Sequence, residues 1–369
     1  MPGASPQADR AAQPTGRVLI VDDSAVARAV IARAIDGSAD YAVAGAVPTT
    51  HAALAFLQVE AVDFVLLDIE MPGVDGLTAL PDIIAAAPGA KVIVVSSTDE
   101  GGAGGTVQAL ALGAVDKVSK PAHGGLAGGF AERLLATLAQ LSRDVASPSP
   151  SPSLSPSSPP PALTRVAPAR AGALPGFDPC AYDIVAIGAS TGGIHALSSL
   201  LRALPADMQL PILITQHLPH SFMPYFAAQV AVLAGRPCEV ATDCMRVRPG
   251  RVIIAPGDAH IRCVRLPDRS ASIRLLRASS VSGCTPSVDP MLASVAEVFG
   301  ARALAVMLSG MGRDGADGAR AVRDAGGCVL AQDRATSVVW GMPGAVSDIA
   351  AAFLDPETIG ALIAGCRKP

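Results

Sequence analysis

The chain has 369 residues, 50% hydrophobic, 16% charged and 3% aromatic, and its 28 Lys and Arg against 32 Asp and Glu leave a net charge of −4. That length suits two or three domains, and the apolar fraction is enough for buried cores, which excludes a wholly disordered chain. The mild acidity argues against a protein built to coat nucleic acid or anionic lipid.

Residues 1–16 are rich in Ala, Pro and Gln and lack the cationic start and apolar run of a signal peptide, so we expect a disordered tail. From 17 to 143 short β-type runs (18–21, 41–47, 64–67, 92–95, 114–118) alternate with helix-compatible stretches (25–35, 52–59, 77–87, 103–112, 126–141). Five such βα units with continuous apolar strands predict a parallel sheet covered on both faces. In 147–161 every residue except Leu154 is Ser or Pro, a composition that favours extended conformations and buries nothing. We therefore expect an interdomain linker over 144–178. The second domain, 179–369, repeats the alternation, with strands at 184–187, 211–215, 252–255, 303–308 and 328–331. Its helices fall at 191–204, 222–233, 289–299, 314–325 and 356–364. The segment 238–277 has little helical signal and predicts added antiparallel strands or a hairpin. The fold class is α/β, with two doubly wound parallel-sheet domains.

Seven cysteines (Cys180, Cys238, Cys244, Cys263, Cys284, Cys328, Cys366) are scattered and never spaced as CxxC. That spacing suits neither a zinc site nor a disulfide framework, and we expect free thiols in a reducing cytoplasm. No stretch approaches the roughly 18 apolar residues of a membrane span, and no membrane insertion is expected.

In the first domain Asp22 and Asp23 follow the first strand and Asp68 ends the third, so all three meet at the carboxyl edge of the sheet. Converging carboxylates repel one another unless a divalent cation joins them, and oxygen ligands suit magnesium. Ser96 ends the fourth strand and Lys120 the fifth. A cation, a hydroxyl and an ammonium around one aspartate are what an aspartyl phosphate needs for charge neutralisation. The alternative is local: Asp22 and Asp23 as helix caps, Asp68 as the start of the turn at Pro72-Gly73.

These residues (Val21-Asp22-Asp23-Ser24, then 67–76 as LDIEMPGVDG, Ser96-Ser97, Lys120-Pro121) resemble a two-component response-regulator receiver domain over 17–143. The resemblance implies a flavodoxin-like fold and a phosphoryl group accepted at Asp68 from a histidine kinase. It also implies Mg²⁺ at Asp22, Asp23, Asp68 and the Glu70 carbonyl, and a switch read by Ser96 and Lys120. One position departs: three before the lysine, where many receivers carry an aromatic, stands Lys117.

In the second domain 188–193, GASTGG, lies between a strand and a helix and puts Ser190 at the apex of a tight turn, beside the free N–H groups of a helix start. A dinucleotide site would want GxGxxG and an acid at the next strand end. Here the GxG is broken and the next strand ends in Gln216-His217, which favours a hydrolase over an oxidoreductase. Asp314, in the 308–316 run LSGMGRDGA after a later strand, is placed to orient the far nitrogen of His217. His195 on the following helix is expected to point away, His220 to lie at the rim, and His51, His123 and His260 to lie on the surface. Asp317 suits a solvated helix face, and Asp289 a helix cap or a substrate contact.

Together with TQHLP (215–219), IAPGDAH (254–260), PSVD (286–289) and GMP (341–343), these runs resemble the catalytic domain of bacterial chemotaxis protein-glutamate methylesterases. The resemblance implies a Rossmann-like domain with a small antiparallel addition and a catalytic triad of Ser190, His217 and Asp314. Thr191 and Met311 fall at active-site positions, with the Met311 N–H an oxyanion donor. It further implies hydrolysis of glutamyl methyl esters and deamidation of glutamines on chemoreceptors, controlled by phosphorylation, with no cofactor for the esterase. Where many members carry His-Arg before PSVD, this chain has Cys284-Thr285. A monomer is expected, with chemoreceptors and a kinase as partners and no nucleic acid. No helix-turn-helix signal or basic stripe supports a DNA-binding output.

Overall fold

The computed structural model describes residues 16–96, 100–120, 129–143 and 177–365. Residues 1–15 of the expected tail, the linker core, Ser97, Pro121, His123 and Cys366 lie outside the described residues, while Gly16, expected in the tail, opens the first strand.

The first domain runs β1 (Gly16–Val21), α1 (Ala25–Asp36), β2 (Tyr41–Val47), α2 (Thr50–Leu57), β3 (Phe64–Asp68), α3 (Gly76–Ala86), β4 (Lys91–Ser96), α4 (Glu100–Leu112), β5 (Asp116–Ser119) and α5 (Phe130–Arg143). The sheet order is β2-β1-β3-β4-β5, and β1 pairs in parallel with β2 and β3, as does β3 with β4. The central strands are buried on both faces, from Val18 to Val21 and from Phe64 to Asp68, which is why they read as unbroken apolar runs. Ser24 rather than Asp22 or Asp23 caps α1, accepting from the Ala27 N–H at 3.2 Å. That leaves both aspartates available at the strand end.

The MPGVDG run has a structural share in this. Asp75 caps α3 by accepting from the Thr78 N–H at 2.6 Å. Gly76 lies so close to the β3 end that a Cβ there would stand 2.0 Å from the Asp68 carbonyl oxygen. A side chain at 76 would push the helix off the end of β3.

The second domain contains β6 (Ile184–Ala189), α6 (Gly193–Arg202), β7 (Ile212–Gln216), α7 (Met223–Ala234), β8 (Cys238–Val240), β9 (Val252–Ile254), β10 (His260–Arg265), β11 (Ala271–Leu276), α8 (Val288–Phe299), β12 (Ala303–Met307), α9 (Ala316–Asp324), β13 (Cys328–Gln332), α10 (Gly341–Gly344), β14 (Ala352–Leu354) and α11 (Pro356–Ala364). Seven parallel strands form the order β14-β13-β12-β6-β7-β9-β8, and β10 and β11 form a separate antiparallel pair. The predicted hairpin in 238–277 is present. The same segment also supplies β8, a parallel edge strand too short at three residues to show a period.

The chain leaves β6 toward β7 on one side and reaches β12 on the other, so β6 ends at a topological switch point, the place where open parallel sheets carry their sites. The core beneath is continuous: Ile184, Ala186, Leu213 and Ala305 from the sheet pack with Met291, Leu292 and Val295 of α8, all at most 1% exposed. Each such Leu or Ile contributes about 2 kcal/mol by burial, which holds the strand ends in fixed relation.

Candidate functional site

At the carboxyl edge of the first sheet, Asp22 and Asp68 are 1% and 2% exposed. The Lys120 ammonium lies 2.6 Å from Asp68 Oδ2 and 2.9 Å from Asp22 Oδ2. The second contact is an ion pair without a directed hydrogen bond, so Asp22 Oδ2 is buried with no hydrogen-bond donor of its own. Asp22 Oδ1 accepts from the Ser24 N–H at 2.8 Å and Asp68 Oδ1 from the Glu70 N–H at 3.1 Å. Burial raises the Asp68 pKa above the usual carboxylate value, although Lys120 and the Glu70 N–H pull it back. Burial works against the charged Lys120, but its two aspartates prevail and raise its pKa. One oxygen from each of Asp22, Asp23 and Asp68 falls within 4.8 Å of the others, a donor set that fits a hard divalent cation. Ser96, 4% exposed, closes β4, and its carbonyl accepts from the Lys120 N–H at 2.7 Å. The structure thus brings together the predicted Asp22, Asp23, Asp68, Ser96 and Lys120.

In the second domain Ser190 follows β6, His217 follows β7 and Asp314 lies in the loop after β12, on three adjacent strands. The turn between β6 and α6 requires glycine at 192, where φ is +72° and a Cβ would stand 2.4 Å from Val338 Cβ. That left-handed residue explains why α6 starts at Gly193 rather than at Thr191. Ser190 Oγ lies 3.1 Å from His217 Nδ1, and His217 Nε2 lies 2.7 Å from Asp314 Oδ2. With Nε2 donating to the carboxylate, the neutral ring keeps Nδ1 bare toward the serine hydroxyl. Burial lowers the His217 pKa, but interactions with Asp314 and then Cys284 outweigh it and hold it up at about 9. Burial likewise opposes ionisation of Asp314, yet hydrogen bonds from His217, Ser287 and Val288 hold its pKa down to about 2.

The CheB methylesterase family matches residues 185–363 and the response regulator receiver domain family matches 18–125. A protein-glutamate methylesterase/protein-glutamine glutaminase of Maricaulis maris is 39% identical, over 94% of this chain and 92% of the relative. One from Paramagnetospirillum magneticum is 40% identical, over 90% of each. This chain belongs to the protein-glutamate methylesterase/protein-glutamine glutaminase family. The catalytic-domain crystal structure of the Thermotoga maritima CheB methylesterase is 35% identical, covers 49% of this chain and 97% of that one, and has a TM-score of 0.48.

Three features of this methylesterase-family site escape the sequence reading. The PSVD run holds the aspartate: Ser287 Oγ donates to Asp314 Oδ1 at 2.6 Å and the Val288 N–H to Oδ2 at 2.7 Å. His260, expected on the surface, is instead 1% exposed. Its Nδ1 accepts from the Ser287 N–H at 2.8 Å, and its Nε2 donates to the Ala278 carbonyl at 2.7 Å. The signal available was its place at the end of the IAPGDAH run, but only the docking of β10 against α8 buries it.

Cys284 sits beside the His217 ring, its Sγ within 4.8 Å of a His217 nitrogen and an Asp314 oxygen. His217 lowers the Cys284 pKa against the effect of burial. These three groups offer metal-ligating atoms, but His217 and Asp314 already satisfy each other.

Asp289 lies in the first turn of α8, whose N-cap is Ser287, and reaches across to α9. Its Oδ1 accepts from the Gly318 N–H of α9 at 2.8 Å. Met311 is 39% exposed beside Gly310, whose position lies against Ser190: a Cβ there would stand 2.8 Å from Ser190 Cβ. Among the described residues neither the Thr191 nor the Met311 N–H donates to a protein acceptor. His195 and Asp317 are exposed, as is His220, which pairs with Asp258 at 3.5 Å. The six described cysteines are free thiols, and among the described residues no helix is long and apolar enough to cross a membrane.

Proposed function

We propose that this chain is a phosphorylation-regulated hydrolase of chemotaxis adaptation. It removes methyl groups from glutamate methyl esters of chemoreceptors, releasing methanol, and deamidates receptor glutamines. The observation that carries the reading is the unbroken path from Ser190 Oγ through both nitrogens of His217 to Asp314.

Ser190 Oγ attacks the ester carbonyl while its proton passes to His217 Nδ1. Asp314 stabilises the imidazolium through Nε2 and stays ionised. The unengaged Thr191 and Met311 N–H groups are the candidates for the oxyanion, each worth about 3 kcal/mol in such sites. Collapse expels methoxide, which takes the His217 proton and leaves as methanol. For a glutamine the leaving group takes the same proton and departs as ammonia. Water then gives a proton to His217 and attacks the acyl-enzyme, and carboxylate and free serine are restored.

Control enters through the receiver. Asp68 accepts a phosphoryl group from a histidine kinase, Ser96 and Lys120 contact it, and the change shifts the population toward a form whose crevice admits the receptor. Mg²⁺ would be held by Asp23 and Asp68 directly, Asp22 through water and the Glu70 carbonyl, and when bound it supplies charge neutralisation for phosphoryl transfer.

The test is methanol release from methylated chemoreceptor membranes by the whole chain, with and without a small-molecule phosphodonor. Loss of release in Ser190→Ala, and loss of the phosphodonor response alone in Asp68→Asn, are the expected results. Full release by Ser190→Ala refutes the nucleophile.

A further inference from the structure

We propose that His260 is a positioning residue for the catalytic aspartate, acting through Ser287; the inference rests on the reading of Ser190, His217 and Asp314 as the triad. The buried path is continuous. The Ala278 carbonyl accepts from His260 Nε2 at 2.7 Å, His260 Nδ1 accepts from the Ser287 N–H at 2.8 Å, and Ser287 Oγ donates to Asp314 Oδ1 at 2.6 Å. His260 and Ser287 are 1% and 0% exposed, so no solvent replaces a lost partner.

The tautomer follows from the partners. An amide N–H can only donate, so Nδ1 is bare and the ring proton sits on Nε2, facing a carbonyl that can only accept. The ring therefore joins two main-chain points, Ala278 and Ser287, that bracket the loop carrying Cys284. It is held to β10 by its own backbone.

A second feature shows that the loop serves Asp314 rather than its own helix. Ser287 is the N-cap of α8, a position where serine ordinarily accepts from the helix's own first turn. Here its side chain makes no capping bond, and the hydroxyl goes to Asp314 instead. The first free N–H of α8, at Val288, also donates to Asp314, so the carboxylate sits on the positive end of the helix. With the main chain at 287 displaced, both donors move and the carboxylate turns away from His217. A shift of ~1 Å in such a group costs roughly 100-fold in rate.

The test compares His260→Ala, His260→Gln and Ser287→Ala in the whole chain. Kinetics on methylated receptor membranes are paired with an NMR titration of the His217 ring, which needs no substrate. In His260→Ala kcat should fall ~10- to 100-fold with KM changed less than ~twofold. The acid limb of the pH–rate profile and the His217 titration should both move to lower pH, because Asp314 is what raises them. His260→Gln keeps one acceptor and one donor and should recover most of kcat.

A folded His260→Ala with unmoved kcat and unmoved titration overturns the proposal. If His260→Ala fails to fold, the double-mutant cycle of Ser287→Ala with His260→Phe, which keeps a ring but loses both hydrogen bonds, decides: shared loss supports the path, and strictly additive losses overturn it. Failure of the esterase reading shows separately, as turnover kept by Ser190→Ala, while the His217 titration still reports whether His260 reaches Asp314.

Discussion

The Cys284 thiol beside the His217 ring, with the proposed role of that ring as general base, leads to a prediction about pH. His217 must be neutral to take the Ser190 proton, and its pKa stands at about 9, above the ordinary imidazole value, through Asp314 and Cys284. At pH ~7.5 only ~3% of such rings are neutral, so the rate should climb through neutrality and level off above pH ~9. Cys284→Ala removes one of the two groups that hold the proton on the ring. The pKa must then fall, and the acid limb of kcat/KM must move to lower pH.

Each unit of that fall raises the neutral fraction at pH ~7.5 by up to ~tenfold, while the high-pH plateau stays where it was. Cys284→Ser, which keeps a weaker polar neighbour, should lie between. The assay is methanol release from pH ~6 to ~10 with the spontaneous ester hydrolysis subtracted. An acid limb that stays in place, or moves to higher pH, in Cys284→Ala would refute the reasoning, because it would mean the thiol does not favour the charged ring.

Gly192→Ala forces a positive φ on a residue with a Cβ and drives that Cβ into Val338, and should cost ~2 kcal/mol of stability and at least ~100-fold in kcat, read by thermal melting and methanol release. Lys120→Ala removes the cation that faces Asp22 and Asp68, and should weaken the response of methanol release to a phosphodonor while leaving the unstimulated rate within ~twofold. Chelation of divalent cations should stop phosphoryl uptake at Asp68, followed by phosphate-affinity gel shift, and leave the unstimulated esterase rate unchanged. Asp314→Asn keeps the shape of the site but loses the charge that favours the imidazolium, and kcat should fall ~10⁴-fold with KM little changed.

Most of the architecture was legible along the chain because parallel strands buried on both faces announce themselves as apolar runs, and several candidate site residues sit within three residues of the end of such a run. Asp22, Asp68, Ser190 and His217 are of this kind, whereas Asp314 lies in a loop seven residues past β12. Elements without a period were invisible: β8 and β14 have three residues each and exist because a neighbouring strand offers an edge. The start of α6 at Gly193 likewise depends on a left-handed residue whose need is set by Val338, far away in sequence.

The sequence by itself determined which residues stand at or near the strand ends, and hence the candidate nucleophile, its candidate base and the acidic cluster, since strand polarity and alternation are local properties of the chain. Tertiary structure alone decided what surrounds them. His260 is polar and stands in a short extended segment, so nothing local distinguishes a surface ring from a buried one. It is buried because β10 docks on α8, and there it joins Ala278 to Ser287 and, through Ser287, reaches Asp314. Cys284 reads as a loop thiol until the fold brings it within 4.8 Å of His217, where it helps to set the charge of the base. Contacts between residues dozens of positions apart carry no period, so only the folded chain could reveal them.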